Sequence, residues 1–571
     1  MFIKRNKTAL NGKSYSSVLL VRGKRVPAKR SPGRPTDDAP LKTVVVHETL
    51  ANLSKLPPEL IALIDGYCQN PLTPPPTQGT AVPAEASASP AAPTPVHVGP
   101  CYGLLAGLHA LARELGIVQA VGEATRMERL VLFLVYARLA HQGSRLSATR
   151  YAEDHAVREI LEVGYFNEDD LYLALEHLES HQEQIENALH KPTPPGTMFL
   201  YDVTSVYFEG QHNELAAFGH NRDGKKGKKQ MVAGLLTDAG GEPLSIQLYP
   251  GNTSDPPTFL DAVTKVKTRF GAEEITLVGD RGMIKRLGKS ALGEAKFRYV
   301  TALTDPQIRS LLKQKVFQLE LFDEAPVEVE HDAKRYVLRC NPHTRKREQA
   351  RRKDQWEKLQ RWIQARNEAV AKRSKMAPAS SLRQAQQRLQ LYRLSRWITL
   401  QLEGRKVVWQ EDAEACRKEA ELDGCYVVET DLPKVAATPQ QVHDRYLDLT
   451  LVERDFRLIK TGLLEIRPIF LRKANRTRGH AVATLLALKL ARELDRRMAP
   501  LGITAEEALT RLEGVRLISL GAPEIRLWRL ADSYPEAQTE VLARLPKLPV
   551  PMLSLGNANR NRLTNPRQGR E

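Results

Sequence analysis

The sequence predicts an α/β fold in which a mixed sheet is flanked by helices, and two observations predict it. Apolar residues recur at helical spacing over residues 101–190, and from about residue 196 they change to strand patterns. Between residues 197 and 303, strand and helix patterns then follow one another with short connections. The content of 42% hydrophobic and 26% charged residues is typical of a chain that folds for most of its length.

The N-terminal third predicts three different kinds of segment. Residues 1–70 form a small basic module, with two short strands around Arg22-Gly23. Residues 71–99 are so rich in Pro, Ala, Ser and Thr that they cannot form a core, and we expect a disordered linker. Residues 100–192 then predict an all-helical domain of four or five helices.

The sheet itself is predicted from residue 196 onward. Strand patterns lie near 197–203, 205–209, 230–238 and 243–250, followed by a helix at 256–269, a strand at 275–280, a helix at 285–293 and a strand at 297–303. This order of strands, helix, strand, helix and strand is that of a ribonuclease-H-like sheet. Asp255, which precedes two prolines, is expected to cap the helix that follows it.

An insertion domain is predicted over residues 306–439. Its strand patterns at 335–340, 405–410 and 424–430 flank a helical segment from about 344 to 400. Residues 345–396 hold 16 Lys or Arg against 4 Asp or Glu, a balance of 16 − 4 = +12. Aromatic residues interleave these charges, namely Trp356, Trp362, Tyr392 and Trp397. The combination is typical of a surface that follows a nucleic-acid backbone and stacks bases, and the alternative is a two-helix hairpin with solvated outer faces.

The charge of the whole chain indicates an anionic partner. A net charge of +17 and a pI near 9.5 favour nucleic acid, because a positive field attracts polyanions and supplies phosphate contacts. The five cysteines lack zinc-site spacing and indicate no disulfide framework. No apolar run of 18 residues and no secretion signal is visible, so we expect a protein of the cytoplasm without a membrane span.

Three acidic residues are the candidate catalytic and metal-binding groups. Asp202 closes the apolar run that starts at Met198, Asp280 closes the run from Ile275, and Glu453 lies in a helical stretch over 446–460. Two strand-end carboxylates and one helical carboxylate suit Mg²⁺, which prefers oxygen ligands, and a pair of such ions assists in-line phosphoryl transfer. Taken singly, each has a structural alternative: a strand-end Asp often forms a turn, and a helical Glu often pairs with a neighbouring Arg.

The stretch around Glu453 resembles a known signature. Residues seven apart share a helix face, so Tyr446, Glu453 and Lys460 form one stripe. They match the Tyr-x2-Arg-x3-Glu-x6-Lys signature of the DDE transposases of bacterial insertion sequences, specifically the insertion sequence four superfamily. Leu449 stands where that family has its arginine. Neighbouring arginines that could make the DNA contact of the family's arginine are Arg445, Arg454 and Arg457.

The resemblance extends over roughly residues 196–305 and 440–498, in the family's order. It includes Tyr201–Ser205, Gly219–Asp238, Gly251–Asp255 and Val278–Met283. It implies a ribonuclease-H-like catalytic domain in two pieces, interrupted by the insertion domain. The pattern of the remaining residues, 499–571, predicts a C-terminal helical region and a tail.

The resemblance also implies an activity. Mg²⁺, or Mn²⁺ in its place, would be held as two ions by Asp202, Asp280 and Glu453. The enzyme would cut DNA at transposon ends and join the freed ends to target DNA. Its partners would be double-stranded DNA, both inverted repeats and target, and further copies of itself in a dimer or larger assembly, in a bacterial cytoplasm near the nucleoid.

The residues expected to contact DNA include the remainder of the helical stripe and a basic loop. They are Tyr446, Lys460, Arg281, Arg457, Lys225, Lys226, Lys228 and Lys229. Two alternatives stay open: a nuclease of the same class without strand transfer, and a catalytically silent DNA-binding protein descended from a transposase.

Overall fold

The structure is a computed structural model. It describes residues 2–10, 13–27, 43–54, 61, 64, 65, 68, 96–190, 198–220, 222, 224, 225, 227–270, 275–280, 284, 289, 292–294, 296–373, 377–460, 462–467, 469–520, 526, 527, 529–531, 533–549, 555 and 556. The chain divides into two compact units. One unit comprises residues 1–97, 518–529 and 553–571, and the other comprises residues 98–517 and 530–552.

The first unit contains a three-stranded antiparallel sheet in the order β1-β2-β3. Its strands are β1 (Phe2–Leu10), β2 (Lys13–Pro27) and β3 (Thr43–Asn52). The prediction of two short strands around Arg22-Gly23 is wrong, because β2 continues through both residues. Its second half pairs with β3, which places Arg22 opposite Glu48. Of the predicted linker, residues 71–95 lie outside the described residues.

Residues 96–190, all of which the structure describes, are mainly helical. They form β4 (Val96–Cys101) and the helices α1 (Gly103–Glu114), α2 (Ile117–Val121), α3 (Arg126–Ala140), α4 (Arg145–Asp154), α5 (Val157–Leu161), α6 (Glu168–Ser180) and α7 (Gln182–Leu189). Thr125 begins α3 with a capping box, in which its hydroxyl accepts the N–H of Glu128 and the Glu128 carboxylate accepts the N–H of Thr125. The buried apolar side chains of this bundle belong to a core that continues into the central sheet.

The first part of the central sheet follows the predicted order. It contains β5 (Met198–Tyr207), β6 (Gln230–Asp238), β7 (Pro243–Pro250), α8 (Asp255–Arg269), β8 (Thr276–Gly279) and β9 (Arg298–Ala302). β5, β6 and β7 are antiparallel neighbours, whereas β8 is parallel to β5 and β9 is parallel to β8. This is a ribonuclease-H-like mixed sheet, as predicted.

Two local predictions in this region are wrong. The patterns at 197–203 and 205–209 belong to the single strand β5, because pairing with β6 continues to Tyr207 opposite Gln230. Ser254, not Asp255, occupies the N-cap position of α8, where its side chain makes no capping hydrogen bond, and the Asp255 carboxylate binds Arg222. The helix predicted over 285–293 falls largely outside the described residues.

Three strands from the predicted insertion extend the same sheet. α9 (Asp305–Lys313) follows β9, and the added strands are β10 (Val327–His331), β11 (Lys334–Cys340) and β14 (Cys425–Thr430). The sheet has the order β10-β11-β14-β9-β8-β5-β6-β7. β14 is antiparallel to β9, so the mixed sheet becomes antiparallel again beyond its parallel centre.

The basic segment forms a subdomain with its own small core. Its elements are α10 (Pro342–Lys372), α11 (Pro378–Leu391), the hairpin β12 (Ile398–Glu403) and β13 (Lys406–Glu411), and α12 (Ala413–Ala420). Trp356 and Trp397 are buried and meet edge to face at 5.9 Å. Trp362 lies under the guanidinium of Arg388 at 4.1 Å. The prediction that these tryptophans stack bases is therefore wrong for the two buried rings, which instead hold the helices to the hairpin.

The chain then returns to the central sheet. It forms α13 (Pro439–Leu447), α14 (Leu449–Lys460), α15 (Ala474–Met498), α16 (Ala505–Glu513), β15 (Arg516–Leu520), β16 (Arg526–Leu527), β17 (Arg529–Leu530), α17 (Glu536–Arg544) and β18 (Leu555–Gly556). α15 packs against α3, α6 and β7 and so joins the helical region to the sheet. In the described part of the chain, each helix is too short or too polar to cross a membrane.

Candidate active site

The first two predicted acids occupy neighbouring positions on parallel strands. Tyr201 of β5 pairs with Gly279 of β8, so the next residues, Asp202 and Asp280, follow at the same level. Asp280 directly follows the last residue of β8, as predicted. Asp202 is not at a strand end, since β5 continues to Tyr207. It lies where the parallel partner ends, and that is why the two carboxylates come together.

The backbone on either side of the two acids is well held. The Asp202 carboxylate accepts a hydrogen bond from the N–H of Val203 at 2.7 Å. The Thr301 hydroxyl, from β9, donates to the backbone carbonyl of Asp280 at 3.3 Å. Asp202 is partly buried and Asp280 is exposed, so the pair lies at the border between core and solvent.

The third acid lies on a helix that packs on the strand of the first. α14 contacts β5 and β6, and it buries Val452, Phe456 and Ile459 at helical spacing. Glu453 and Arg457 are exposed on the same helix. Asp455 is fully buried and receives both hydrogen bonds, at 2.8 Å each, from Nη1 of Arg492 on α15. This ion pair fixes the rotation of α14 and thereby the direction of Glu453.

The charges of the three acids act on one another. The pKa of the Asp202 carboxyl is raised to about 7, mainly by burial. The Val203 N–H opposes this rise, the negative charges of Asp280 and Glu453 add to it, and the positive charge of Arg222 lowers it. Asp202 therefore lies within electrostatic reach of both other acids.

The stretch over 446–460 is two helices rather than the single one predicted. α13 ends at Leu447 and α14 begins at Leu449, with Asp448 between them. Tyr446 is therefore on a different helix from Glu453 and Lys460. Since α13 packs on β8 and β9, the Tyr446 hydroxyl still reaches the site, where it donates to Oδ1 of Asp280 at 3.3 Å.

Arg222 is a site residue that the sequence reasoning did not single out. Its guanidinium binds both carboxylate oxygens of Asp255, at 2.6 and 2.8 Å, and its backbone N–H donates to the Ser205 hydroxyl at 3.0 Å. These bonds hold a cation close enough to lower the pKa of Asp202. The signal in the sequence was the resemblance over Gly219–Asp238, which contains Arg222.

The predicted basic loop lies at the far end of β5. Lys225 lies 5.5 Å from the ring centre of Tyr207, and Lys229 lies 6.0 Å from that of Phe218. Lys228 binds Glu209 at 2.6 Å. These three lysines are exposed. Two other predicted DNA contacts, Arg281 and Lys226, lie outside the described residues.

A cleft of about 510 Å³ lies beside Tyr446, between α13 and the basic subdomain. Arg351, Arg352 and Arg393 are among the residues that line it. Arg352 is held in place by both carboxylate oxygens of Asp423. Carboxylates also line the cleft, among them Glu348 and Glu419, so charges of both signs lie next to the tyrosine that contacts Asp280.

The donor set fits a hard divalent cation in its chemistry. Besides burial, the negative charges of Asp280 and Glu453 both raise the pKa of Asp202, so both carboxylates lie within electrostatic reach of it, and carboxylate oxygens suit such a cation. Within the residues that the structure describes, no three His, Cys, Asp or Glu side chains are grouped as a finished metal site. The three carboxylates would therefore have to draw closer to share an ion.

Comparison with known proteins identifies the family. A family model for the transposase DDE domain matches residues 193–490. The chain belongs to this family of DDE transposases. The match covers both pieces of the ribonuclease-H-like sheet, the strands and helices between them, and the helices that carry Tyr446 and Glu453.

Two further comparisons complete this result. The search of curated proteins found no match. Among solved structures, the chain is similar to the piggyBac transposase in a cryo-EM structure of its synaptic complex with hairpin DNA. The sequence identity is 9% and the TM-score is 0.37, over 72% of this chain and 76% of the other.

Proposed function

We propose that this transposase cuts DNA strands at the ends of a mobile element and joins the freed ends to target DNA, in reactions that depend on divalent metal. The observation that carries the proposal is the juxtaposition of Asp202 and Asp280 on parallel strands, with the helix of Glu453 packed on the first of them. Within the family, the match of the Glu453 stretch favours the insertion sequence four superfamily.

The three acids are proposed as the ligands of Mg²⁺, with Mn²⁺ as a substitute and two ions per site. Bound divalent ions would supply charge stabilisation on the phosphoryl oxygens and a more acidic attacking water or hydroxyl. The pKa of Asp202 is raised to about 7, and a bound cation would lower it by offsetting the negative charges of Asp280 and Glu453. Binding of the ion and loss of this proton are therefore coupled.

The chain's other residues position the groups that react. Tyr446 steadies Asp280 through its 3.3 Å hydrogen bond and presents an aromatic hydroxyl beside the scissile phosphate. Arg222, fixed by Asp255, adds positive charge next to Asp202. Arg457 and Lys460 lie four and seven residues after Glu453 on α14. They extend this positive charge along the helix toward the DNA backbone.

The proposed partners are double-stranded DNA of the inverted repeats and of the target, and further copies of the chain. A net charge of +17 supports the first. Cleavage at two ends followed by joining favours a dimer or larger assembly, acting on DNA in a bacterial cytoplasm. The remaining proposed DNA contacts are Arg281, Lys225, Lys226, Lys228 and Lys229.

Purified Asp202→Asn, Asp280→Asn and Glu453→Gln variants test the assignment. Each is expected to lose Mg²⁺-dependent cleavage of a labelled duplex that carries the element's end, and to keep binding to that duplex. Glu403→Gln, which changes an exposed carboxylate of β12, is the matched control and should cleave normally. Full cleavage by any of the first three variants would refute the assignment of that residue.

A nuclease without strand transfer is separated by a second assay. Precut ends incubated with a target plasmid and Mg²⁺ should become joined to the plasmid if the proposal is right. Cleavage without joining would favour the nuclease. Tight end binding without cleavage in Mg²⁺ or Mn²⁺ would instead favour a silent DNA-binding protein.

A further inference from the structure

Two phenylalanines are exposed at one end of the central sheet. Phe218 and Phe470 each have 65% of their surface exposed, although Phe208 and Ile469 beside them are almost fully buried. A single exposed apolar side chain is common on protein surfaces, but several together with polar or charged residues around them indicate an interaction site. Here the accompanying features are a fixed backbone and a set of nearby cations.

The backbone that carries Phe470 is held on both sides. Ile469 bridges Phe208 in parallel, and its carbonyl accepts the N–H of Glu209 at 3.1 Å. The Arg472 carbonyl accepts the N–H of Glu214 at 3.2 Å. The ring of Phe470 therefore projects from an anchored segment.

The backbone that carries Phe218 is held in a similar way. Ala217 and Gln230 exchange two hydrogen bonds, at 2.9 and 3.1 Å, and the Gln230 amide donates to the carbonyl of His220 at 3.0 Å. Gln230 also pairs with Tyr207 of β5. The segment of Phe218 thus lies beside β6, and the segment of Phe470 lies beside the end of β5. Three strand spacings of about 4.8 Å separate the two segments, which places them about 14 Å apart.

Cations approach two aromatic rings at this end of the sheet, those of Tyr207 and Phe218. Lys225 and Arg467 approach the ring of Tyr207 at 5.5 and 5.4 Å, and Lys229 approaches that of Phe218 at 6.0 Å. The carboxylates of the same segments are already engaged: Glu209 binds Lys228, and Glu214 accepts the N–H of Ala474. The surface is therefore both aromatic and positive.

The surface is continuous with the helix of the proposed active site. Nε of Arg467 donates to the carbonyl of Lys460, the last residue of α14, at 3.1 Å. Along β5, Tyr207 is five residues beyond Asp202, so the two side chains leave opposite faces of the strand. At about 3.4 Å per residue this separation is about 17 Å.

We propose that this surface, formed by Tyr207, Phe218, Lys225, Lys229, Arg467 and Phe470, binds unpaired nucleotides of a DNA strand that leads into the active site. The faces of bases within a duplex are covered by their neighbours, whereas unpaired bases offer a face to a protruding ring. Aromatic rings flanked by Lys and Arg are the general solution for single strands. The inference deepens the proposed function and assigns the surface to strands that have separated near the cleavage point.

Fluorescence anisotropy tests this with a labelled single-stranded oligothymidine and a duplex of equal length, both in EDTA so that no cleavage occurs. Phe218→Ala and Phe470→Ala are each expected to weaken single-strand binding on the order of tenfold, with duplex binding changed much less. Phe470→Trp should retain it. Tyr165→Ala, which removes an equally exposed ring (62%) from the helical region, is the matched control and should bind like wild type.

Unchanged single-strand binding by both alanine variants would overturn the proposal. Equal losses for single strand and duplex would also overturn it, since they would indicate a general backbone contact. The proposal would also be overturned if the alanine variants lost only self-association, measured by light scattering. The same holds if they lost only binding to vesicles of anionic phospholipid. Asp202→Asn should bind the single strand normally, so failure of the cleavage proposal and failure of this one are distinguishable.

Discussion

Replacement of Asp202 by Asn should stabilise the metal-free protein at pH 8. In the unfolded chain this carboxyl has an ordinary pKa of 3.8, whereas in the fold the pKa is about 7. Above pH 7 the group is ionised in both states, and the folded state carries the whole penalty of holding that charge. Such a rise in pKa corresponds to about 4 kcal/mol, and because Asp202 is only partly buried we expect about 2–4 kcal/mol.

The pH dependence follows from the same two values. As the pH falls through 7, the folded protein takes up a proton that the unfolded chain does not, so the penalty decreases until it vanishes below about pH 4. The advantage of Asp202→Asn should therefore fall to about two fifths of its pH 8 value by pH 5. The amide oxygen of Asn can still accept the Val203 N–H, so the substitution removes the charge and little else.

Differential scanning fluorimetry in EDTA between pH 5 and pH 8 measures this effect. At pH 8 the apparent Tm of Asp202→Asn should exceed that of wild type by a few degrees, and Mg²⁺ should raise the Tm of wild type more than that of the variant. Glu403→Gln serves as the control and should follow wild type throughout. A variant that is no more stable than wild type at pH 8, or an advantage that does not shrink toward pH 5, would refute the reasoning.

Three further substitutions probe the framework of the site by their apparent Tm. Arg492→Met leaves Asp455 buried without its partner, so we expect the free energy of unfolding to fall by about 3–5 kcal/mol. A loss below about 1 kcal/mol, as for an exposed ion pair, would contradict the anchoring role. Gly479→Ala places a Cβ 2.0 Å from the carbonyl oxygen of Leu175, so α15 must move away from α6. We expect a loss of about 1–3 kcal/mol in the free energy of unfolding. An unchanged Tm would show that the two helices are not in close contact. Trp356→Ala should destabilise the basic subdomain by about 3–5 kcal/mol, seen as faster proteolysis within residues 342–411, and normal resistance would argue against its core.

The strands and helices near the site could be predicted because their patterns are local. The apolar runs that end at Asp202 and Asp280 and the helical spacing around Glu453 are visible without knowledge of any partner. What the run before Asp202 did not reveal is where its strand stops. β5 extends past Asp202 because β6 pairs with it as far as Gln230.

Side-chain pairing was the least predictable part of the site. Asp255 has the sequence context of a cap, yet it binds Arg222, which approaches from a segment more than thirty positions earlier. Trp356 and Trp397 stand among basic residues in the sequence, and the fold of the subdomain turns them inward. In each case the deciding contact is long-range, so no local pattern contains it.

The sequence by itself determined the general order of strands and helices in the first part of the central sheet, the positive charge, and the three acids that remain candidate metal ligands. Only the tertiary structure decided that Asp202 and Asp280 share a level of the sheet, that Tyr446 reaches Asp280 from a helix of its own, and that strands of the insertion widen the central sheet. The physical reason is that periodicity along a chain specifies which face of an element is buried. Register, helix breaks and neighbouring strands depend on contacts between residues far apart in the sequence.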